Sequence, residues 1–226
     1  MNLPTADDPV TVIEGDALGV LPSLPAGCVS AVVTDPPYGI GLRNHGNFSR
    51  DWTITGDESG AAAEAIVRIA DSHGWPLCVF GSAYRPYPGR WRNILVWDKG
   101  PGVGSGGDPA RCWKRTFDLI FVRGNRPLLG NRDGAVLKYW QSGGARSHRH
   151  HPAEKPVDLM RYLIRQLVPP EGLVLAPFAG SGTTGVAAAL EGRRCLLIEK
   201  EPAYAAIARK RVAEAVGKTG LLAGVT

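Results

Sequence analysis

Apolar residues in this chain fall in short, nearly unbroken runs, most of which end in an acid or a glycine. Seven of them read as strands: VTVIEGD (Val10–Asp16), VSAVVTD (Val29–Asp35), PLCVFGS (Pro76–Ser82), RNILVWDK (Arg92–Lys99), FDLIFVRG (Phe117–Gly124), LVLAPF (Leu173–Phe178) and RCLLIEK (Arg194–Lys200). Between them the period changes. ESGAAAEAIVRIADS (Glu58–Ser72) predicts a helix. In Glu154–Val168 the apolar positions Leu159, Met160, Leu163, Ile164 and Leu167 recur at helical spacing, and Pro156 suits a first turn, where its missing N–H costs nothing. Thr183–Gly192 predicts a helix closed by Gly192, and Pro202–Val216 a final amphipathic one.

Strands that are apolar throughout, alternating with helices, predict an α/β fold whose mostly parallel sheet is covered on both faces. Ligands of such folds lie outside the carboxyl ends of the strands. Asp16, Asp35, the segment Phe178–Gly182 and Glu199 all fall at or just after predicted strand ends, so one edge of the sheet should carry them all. Two stretches, 41–57 and 124–152, show no period. Loops of such length in a compact chain usually carry function.

Composition narrows the picture. The 226 residues, 44% apolar and 21% charged, suit one globular domain, residues 1–226, with those two stretches as inserts. No run approaches the ~20 apolar residues of a membrane span. The start, MNLPTADDPV, lacks the pattern of a secretory signal. Four scattered cysteines predict reduced core or near-core residues, and the expected location is cytoplasmic. The net charge of +5 is uneven: residues 111–151 hold nine Lys/Arg against two acids. That suits a polyanion, most simply nucleic acid, or a solvated basic face.

PFAGSGTTG (Pro177–Gly185) lies between a predicted strand and helix, and Glu199 follows Gly182 by 17 residues at the next strand end. Glycines for a tight turn and an acid for ribose hydroxyls are the layout of a nucleotide-type site. The loop by itself fits a dinucleotide or S-adenosylmethionine equally well.

TDPPYGI (Thr34–Ile40), taken with HPAEKP and PFAGSGTT, resembles the amino-methyltransferases of DNA, in the permuted group whose catalytic motif precedes the cofactor loop. The resemblance spans nearly the whole chain, with IEGD, ILVWDKG, FDLIFVRG and LLIEK in the family's order. It implies a Rossmann-like S-adenosylmethionine-dependent methyltransferase fold and transfer of a methyl group to an exocyclic amino group in double-stranded DNA. That nitrogen is a poor nucleophile because its lone pair is delocalised into the ring. Two acceptors, the carboxylate of Asp35 and the carbonyl of Pro36, would hold its two N–H groups. Pro36 and Pro37 stiffen the turn that aims them, and Tyr38 offers a ring to the flipped base. Aspartate at the first motif position leans toward adenine N6; cytosine N4 is the alternative, and a dinucleotide oxidoreductase a more distant one. None of the cysteines follows a proline, so no covalent step of the ring-carbon type is implied.

By the same resemblance Asp16 would bind the cofactor adenine, Glu199 its ribose, and Phe178, Gly180, Ser181, Gly182, Thr183 and Thr184 its methionine and ribose part. Lys155 would pair with the methionine carboxylate or a neighbour of it. Ala176 stands where the family usually has aspartate. This predicts weaker cofactor binding than in an Ala176→Asp variant, to be checked by calorimetry. The expected DNA contacts lie in the two aperiodic stretches: Arg43, Arg50, Arg126, Arg132, Arg146 and Arg149. The short inserts predict a short target or help from a second subunit, as in a homodimer. The chemistry needs no metal, and the histidines of 148–151 lack a matching ligand set.

Overall fold

A computed structural model describes residues 2–39, 60–101, 110–140 and 154–223, with side chains to residue 218. Its strands are β1 (Val10–Glu14), β2 (Ala31–Thr34), β3 (Leu77–Gly81), β4 (Asn93–Asp98), β5 (Phe117–Arg123), β6 (Val136–Lys138), β7 (Leu173–Ala176) and β8 (Arg194–Glu199). The helices are α1 (Ala17–Val20), α2 (Ala61–Ser72), α3 (Val157–Leu167), α4 (Thr183–Leu190) and α5 (Pro202–Ala223). All seven expected strands and four expected helices are present. The short α1 was not foreseen. Nor was β6, which lies inside the stretch 124–152 that the sequence left without period.

The strands form one sheet in the order β1-β8-β7-β2-β3-β5-β4-β6. From β1 to β3 every neighbour is parallel. The chain then reverses once: β5 runs antiparallel to both β3 and β4, and β6 pairs parallel with β4. The sheet is therefore mixed and mostly parallel, as expected.

Both faces are buried, which explains the unbroken apolar runs. On one face Val33, Cys78, Phe80 and Trp97 pack under α3, α4 and α5, with Leu159, Met160, Leu163, Ala187, Ala188, Ala208 and Val212 facing them. On the other, Val32, Leu77, Val79 and Leu175 lie under α1 and α2, against Ala17, Ala63, Ile66 and Ala70. Cys78 and Cys195 are buried core residues, but Cys112 is exposed, against the expectation for it. No helix among the described residues is long and apolar enough to cross a membrane.

Candidate active site

The topology sets five parallel carboxyl ends side by side. Asp16 follows β1, Glu199 closes β8, the loop from Pro177 follows β7, Asp35 follows β2 and Ser82 follows β3. The four groups that the sequence assigned to one edge are brought together there.

At the outer end Asp16 caps α1: its Oδ1 accepts from the Leu18 N–H at 3.0 Å, and Lys200 Nζ lies 3.4 Å from Oδ2. Glu199 ties the glycine loop to the sheet. Its Oε2 accepts from the Gly180 N–H at 2.6 Å and its Oε1 from the Glu201 N–H at 2.9 Å. Burial pushes its carboxyl above the usual range, and those backbone N–H groups pull the other way. From the other side Arg211 of α5 holds the loop, an anchor that the sequence did not announce. Its Nη1 donates to the Ser181 carbonyl at 2.8 Å and to Ser181 Oγ at 2.7 Å, and it lies 3.4 Å from Thr183 Oγ1. Its Nη2 pairs with Glu154 at 2.6 Å. The Ser181 and Thr183 hydroxyls are thus acceptors within the loop, each keeping a proton to donate. Thr184 is buried, Phe178 is half-buried against the α2 face, and Ala176 is wholly enclosed in the core.

Gly182 initiates α4 with φ +83°, and a Cβ there would sit 2.8 Å from the Ala208 Cβ. Gly182→Ala therefore combines left-handed strain with a clash between α4 and α5. We expect the variant to lose about 2–4 kcal/mol, read as a thermal midpoint lower by roughly 5–10 °C.

Asp35 lies at the centre of the edge. The Tyr38 hydroxyl donates to its Oδ1 at 2.7 Å, and Lys155 Nζ forms an ion pair with its Oδ2. Lys155, just ahead of α3, is only 8% exposed and sits among three rings, 5.7 Å from the centre of Tyr38, 5.1 Å from Phe80 and 5.8 Å from Trp97. A charge so deeply placed needs a partner, and Asp35 with the ring faces provides one. Lys155, expected at the methionine carboxylate or a neighbour of it, pairs here with the aspartate of the Asp-Pro-Pro-Tyr turn. Burial pushes the Tyr38 phenol well up, and the charges of Asp35 and Asp118 add to this, so it stays a neutral donor. Pro36 is buried, and Pro37 is half-buried beside it. Next to this group lies a second pair, Lys99 and Asp118 at 2.8 Å, with Lys99 Nζ 5.3 Å from the Trp97 ring centre. Burial lowers the Lys99 ammonium, and Asp118 opposes that effect.

Of the expected DNA contacts, the two among the described residues, Arg126 and Arg132, do not lie at this edge. Arg43, Arg50, Arg146 and Arg149 lie outside the described residues. Arg126 reaches the Ser30 carbonyl at 3.5 Å, ahead of β2, and Arg132 follows Asn131, whose carbonyl binds Gln166 in the last turn of α3. Both are at the amino edge, opposite Asp35. The cause is the reversal of β5, whose end, Arg123, pairs with the start of β3 at Leu77. At β6, parallel to β4, the basic segment returns to the carboxyl edge with Lys138. Among the described residues no group of His, Cys, Asp and Glu is arranged to hold a metal.

Comparison with known proteins agrees with this geometry. Residues 110–210 match the family model for N6/N4 methyltransferases, described as DNA methylase. The protein named "Putative methylase YubD" of Escherichia coli (strain K12) is 30% identical over 210 residues, covering 89% of each chain. Among solved structures, the M1.HpyAVI–SAM complex is 21% identical with TM-score 0.64, covering 90% of this chain and 98% of that one. The PvuII cytosine-N4-specific DNA methyltransferase is 18% identical with TM-score 0.66, covering 92% of both. The fold is the Rossmann-like methyltransferase fold, and the chain belongs to the DNA amino-methyltransferase family, which acts on adenine N6 or cytosine N4.

Proposed function

We propose that this chain moves the methyl group of S-adenosylmethionine to the N6 amino group of an adenine rotated out of double-stranded DNA. The observation that carries the reading is Asp35, held by Tyr38 and Lys155 just after the strand that pairs with β7 and its glycine loop. The polar set at this edge fits a nucleoside sulfonium. Two carboxylates, Asp16 and Glu199, suit an adenine amino group and ribose hydroxyls. Beside Asp35 the buried Thr34 hydroxyl has no partner among the described residues. When bound, S-adenosylmethionine supplies an electrophilic methyl group on a positively charged sulfur.

The protein's own part is positioning. Asp35 accepts one N–H of the target amino group and the Pro36 carbonyl the other, which localises the nitrogen lone pair toward the methyl. Each oxygen of Asp35 keeps a lone-pair site beyond those used by Tyr38 and Lys155. Tyr38 offers the ring against which the base rests, and Phe80, buried behind Lys155, belongs to the core that supports it. Once the amino nitrogen carries the methyl, it releases one proton. Lys155 holds Asp35 in place as an acceptor through this step, and the proton passes to solvent. Aspartate in the first motif position supports adenine; the fold shared with a cytosine-N4 enzyme keeps N4 transfer as the second reading. We read the chain as one domain, with target recognition in 41–57 and in the part of 124–152 from β6 onward.

Glu199 gives a pH prediction. The ionised carboxylate is the better acceptor for two hydroxyls, and its folded-state pKa is raised. Cofactor affinity should therefore begin to fall while the pH is still above the ~4.3 of a free glutamate. A calorimetric series across that range should lose this early fall in Glu199→Gln, which binds weakly throughout. Incubation of the protein with labelled S-adenosylmethionine and unmethylated bacterial DNA tests the function itself. Label retained in DNA and recovered as N6-methyladenine is the expected result; label in N4-methylcytosine would overturn the choice of base.

A further inference from the structure

The edge of the sheet beside Asp35 carries rings and cations that the roles above leave unused. Tyr84, Trp113 and Trp140 are 69, 96 and 63% exposed. They come from three separate segments, after β3, before β5 and after β6. The topology delivers all three to the carboxyl edge, because β3 and β6 end there and the reversed β5 begins there.

Contacts join them in a line that starts at the Asp35 turn. Arg85 Nη1 donates to the carbonyl of Gly39 at 3.4 Å. Its neighbour Tyr84 carries the Arg115 guanidinium 4.4 Å from its ring centre. Trp113 and Lys114 precede Arg115, and Lys114 Nζ donates to the Pro101 carbonyl at 3.1 Å. The Trp140 ring lies against Gly100, where a Cβ would come within 2.8 Å of it.

A wholly exposed indole gains nothing from the fold that presents it, and exposed apolar surface of this kind marks a site of contact. The chemistry around it selects the partner. Residues 110–117 contain Arg111, Lys114 and Arg115 and no acid, while Arg85 pairs with Glu64 at 3.2 Å. Cations interleaved with exposed rings match a polyanion that has faces to stack on. A base rotated out toward Asp35 leaves a gap in the duplex, and an indole can occupy it and recover the lost stacking.

We propose that this rim receives the duplex around the extruded base and that Trp113 enters the gap, with Lys114 and Arg115 at the flanking phosphates. The proposal rests on the methyltransferase reading above. Its test uses the full chain, a fluorescein-labelled duplex of random sequence, and the same duplex with a central abasic site, followed by anisotropy. The parent should prefer the abasic duplex. Trp113→Ala, at a fully exposed position, should keep its thermal midpoint, lose about tenfold in affinity and lose the preference; Trp113→Phe should stay within about threefold of the parent. Equal binding of both duplexes by the parent and Trp113→Ala would overturn the proposal. So would a parent dimer that Trp113→Ala splits at unchanged DNA affinity, since the rim would then be a contact between copies of this chain. Methyl transfer by the parent, measured separately, keeps the two claims apart. A parent that methylates DNA no better than Trp113→Ala sinks the wedge alone. A parent that prefers the abasic duplex but never transfers methyl sinks the catalytic reading.

Discussion

Asp35→Ala should abolish detectable methyl transfer, with a rate loss of roughly 10²–10³-fold or more, while cofactor binding stays within about twofold of the parent by calorimetry. The acceptor for one amino N–H disappears, and no other carboxylate among the described residues takes part in the Asp35 turn's contacts with Tyr38 and Lys155. The substitution has a second consequence. Lys155 is buried among Tyr38, Phe80 and Trp97 and would lose its carboxylate partner. Breaking a buried pair from one side typically costs about 3–5 kcal/mol; the ring faces and the 21% exposure of the Asp35 side chain place this case at the lower end. A loss of activity could then be mistaken for a loss of fold. The double variant Asp35→Ala/Lys155→Met separates them: its thermal midpoint should recover toward the parent's, and its activity should not.

Lys155→Met should lower kcat by about 10–100-fold with little change in cofactor affinity, because a misaimed acceptor costs rate rather than ground-state binding. The resemblance gave Lys155 to the methionine carboxylate or a neighbour of it, and direct pairing with that carboxylate makes the opposite prediction: cofactor Kd rises and kcat at saturation is preserved. Calorimetry for the first quantity and saturating-cofactor turnover for the second distinguish an aspartate-positioning lysine from a cofactor-binding one. Lys155→Arg is a further control, since it keeps the charge and replaces a compact ammonium with a planar fork.

The core elements were legible in the sequence because burial on both faces writes itself as an unbroken apolar run. Val32 and Val33 point to opposite sides of the sheet, and both must be apolar. The shared edge followed from strand ends alone. The short β6 was hidden because Val136 and Lys138 are exposed and only Leu137 is buried, so the strand has almost no pattern to read. The reversal of β5 was equally silent, since a strand buried on its faces reads alike in either direction. That reversal is what moves Arg126 and Arg132 to the far edge. Side-chain partners across the fold were beyond sequence reasoning: Asp35 and Lys155 are 120 residues apart, and Arg211 reaches Ser181 from a helix whose basic residues otherwise look solvated. The aromatic rim left no signal of its own, because Tyr84, Trp113 and Trp140 come from three separate segments. Trp113 was overlooked because an exposed tryptophan has no periodic signature.

The central claim is that the Asp35 turn, set beside the glycine loop, methylates an amino group in DNA. The most direct test is to express the parent and Asp35→Ala in a host free of DNA methylation, then hydrolyse the host DNA to nucleosides for mass spectrometry. N6-methyladenine in the parent's host and its absence with Asp35→Ala is the predicted result. Unmodified DNA from a host making abundant folded parent, or equal methylation by the two proteins, would contradict it.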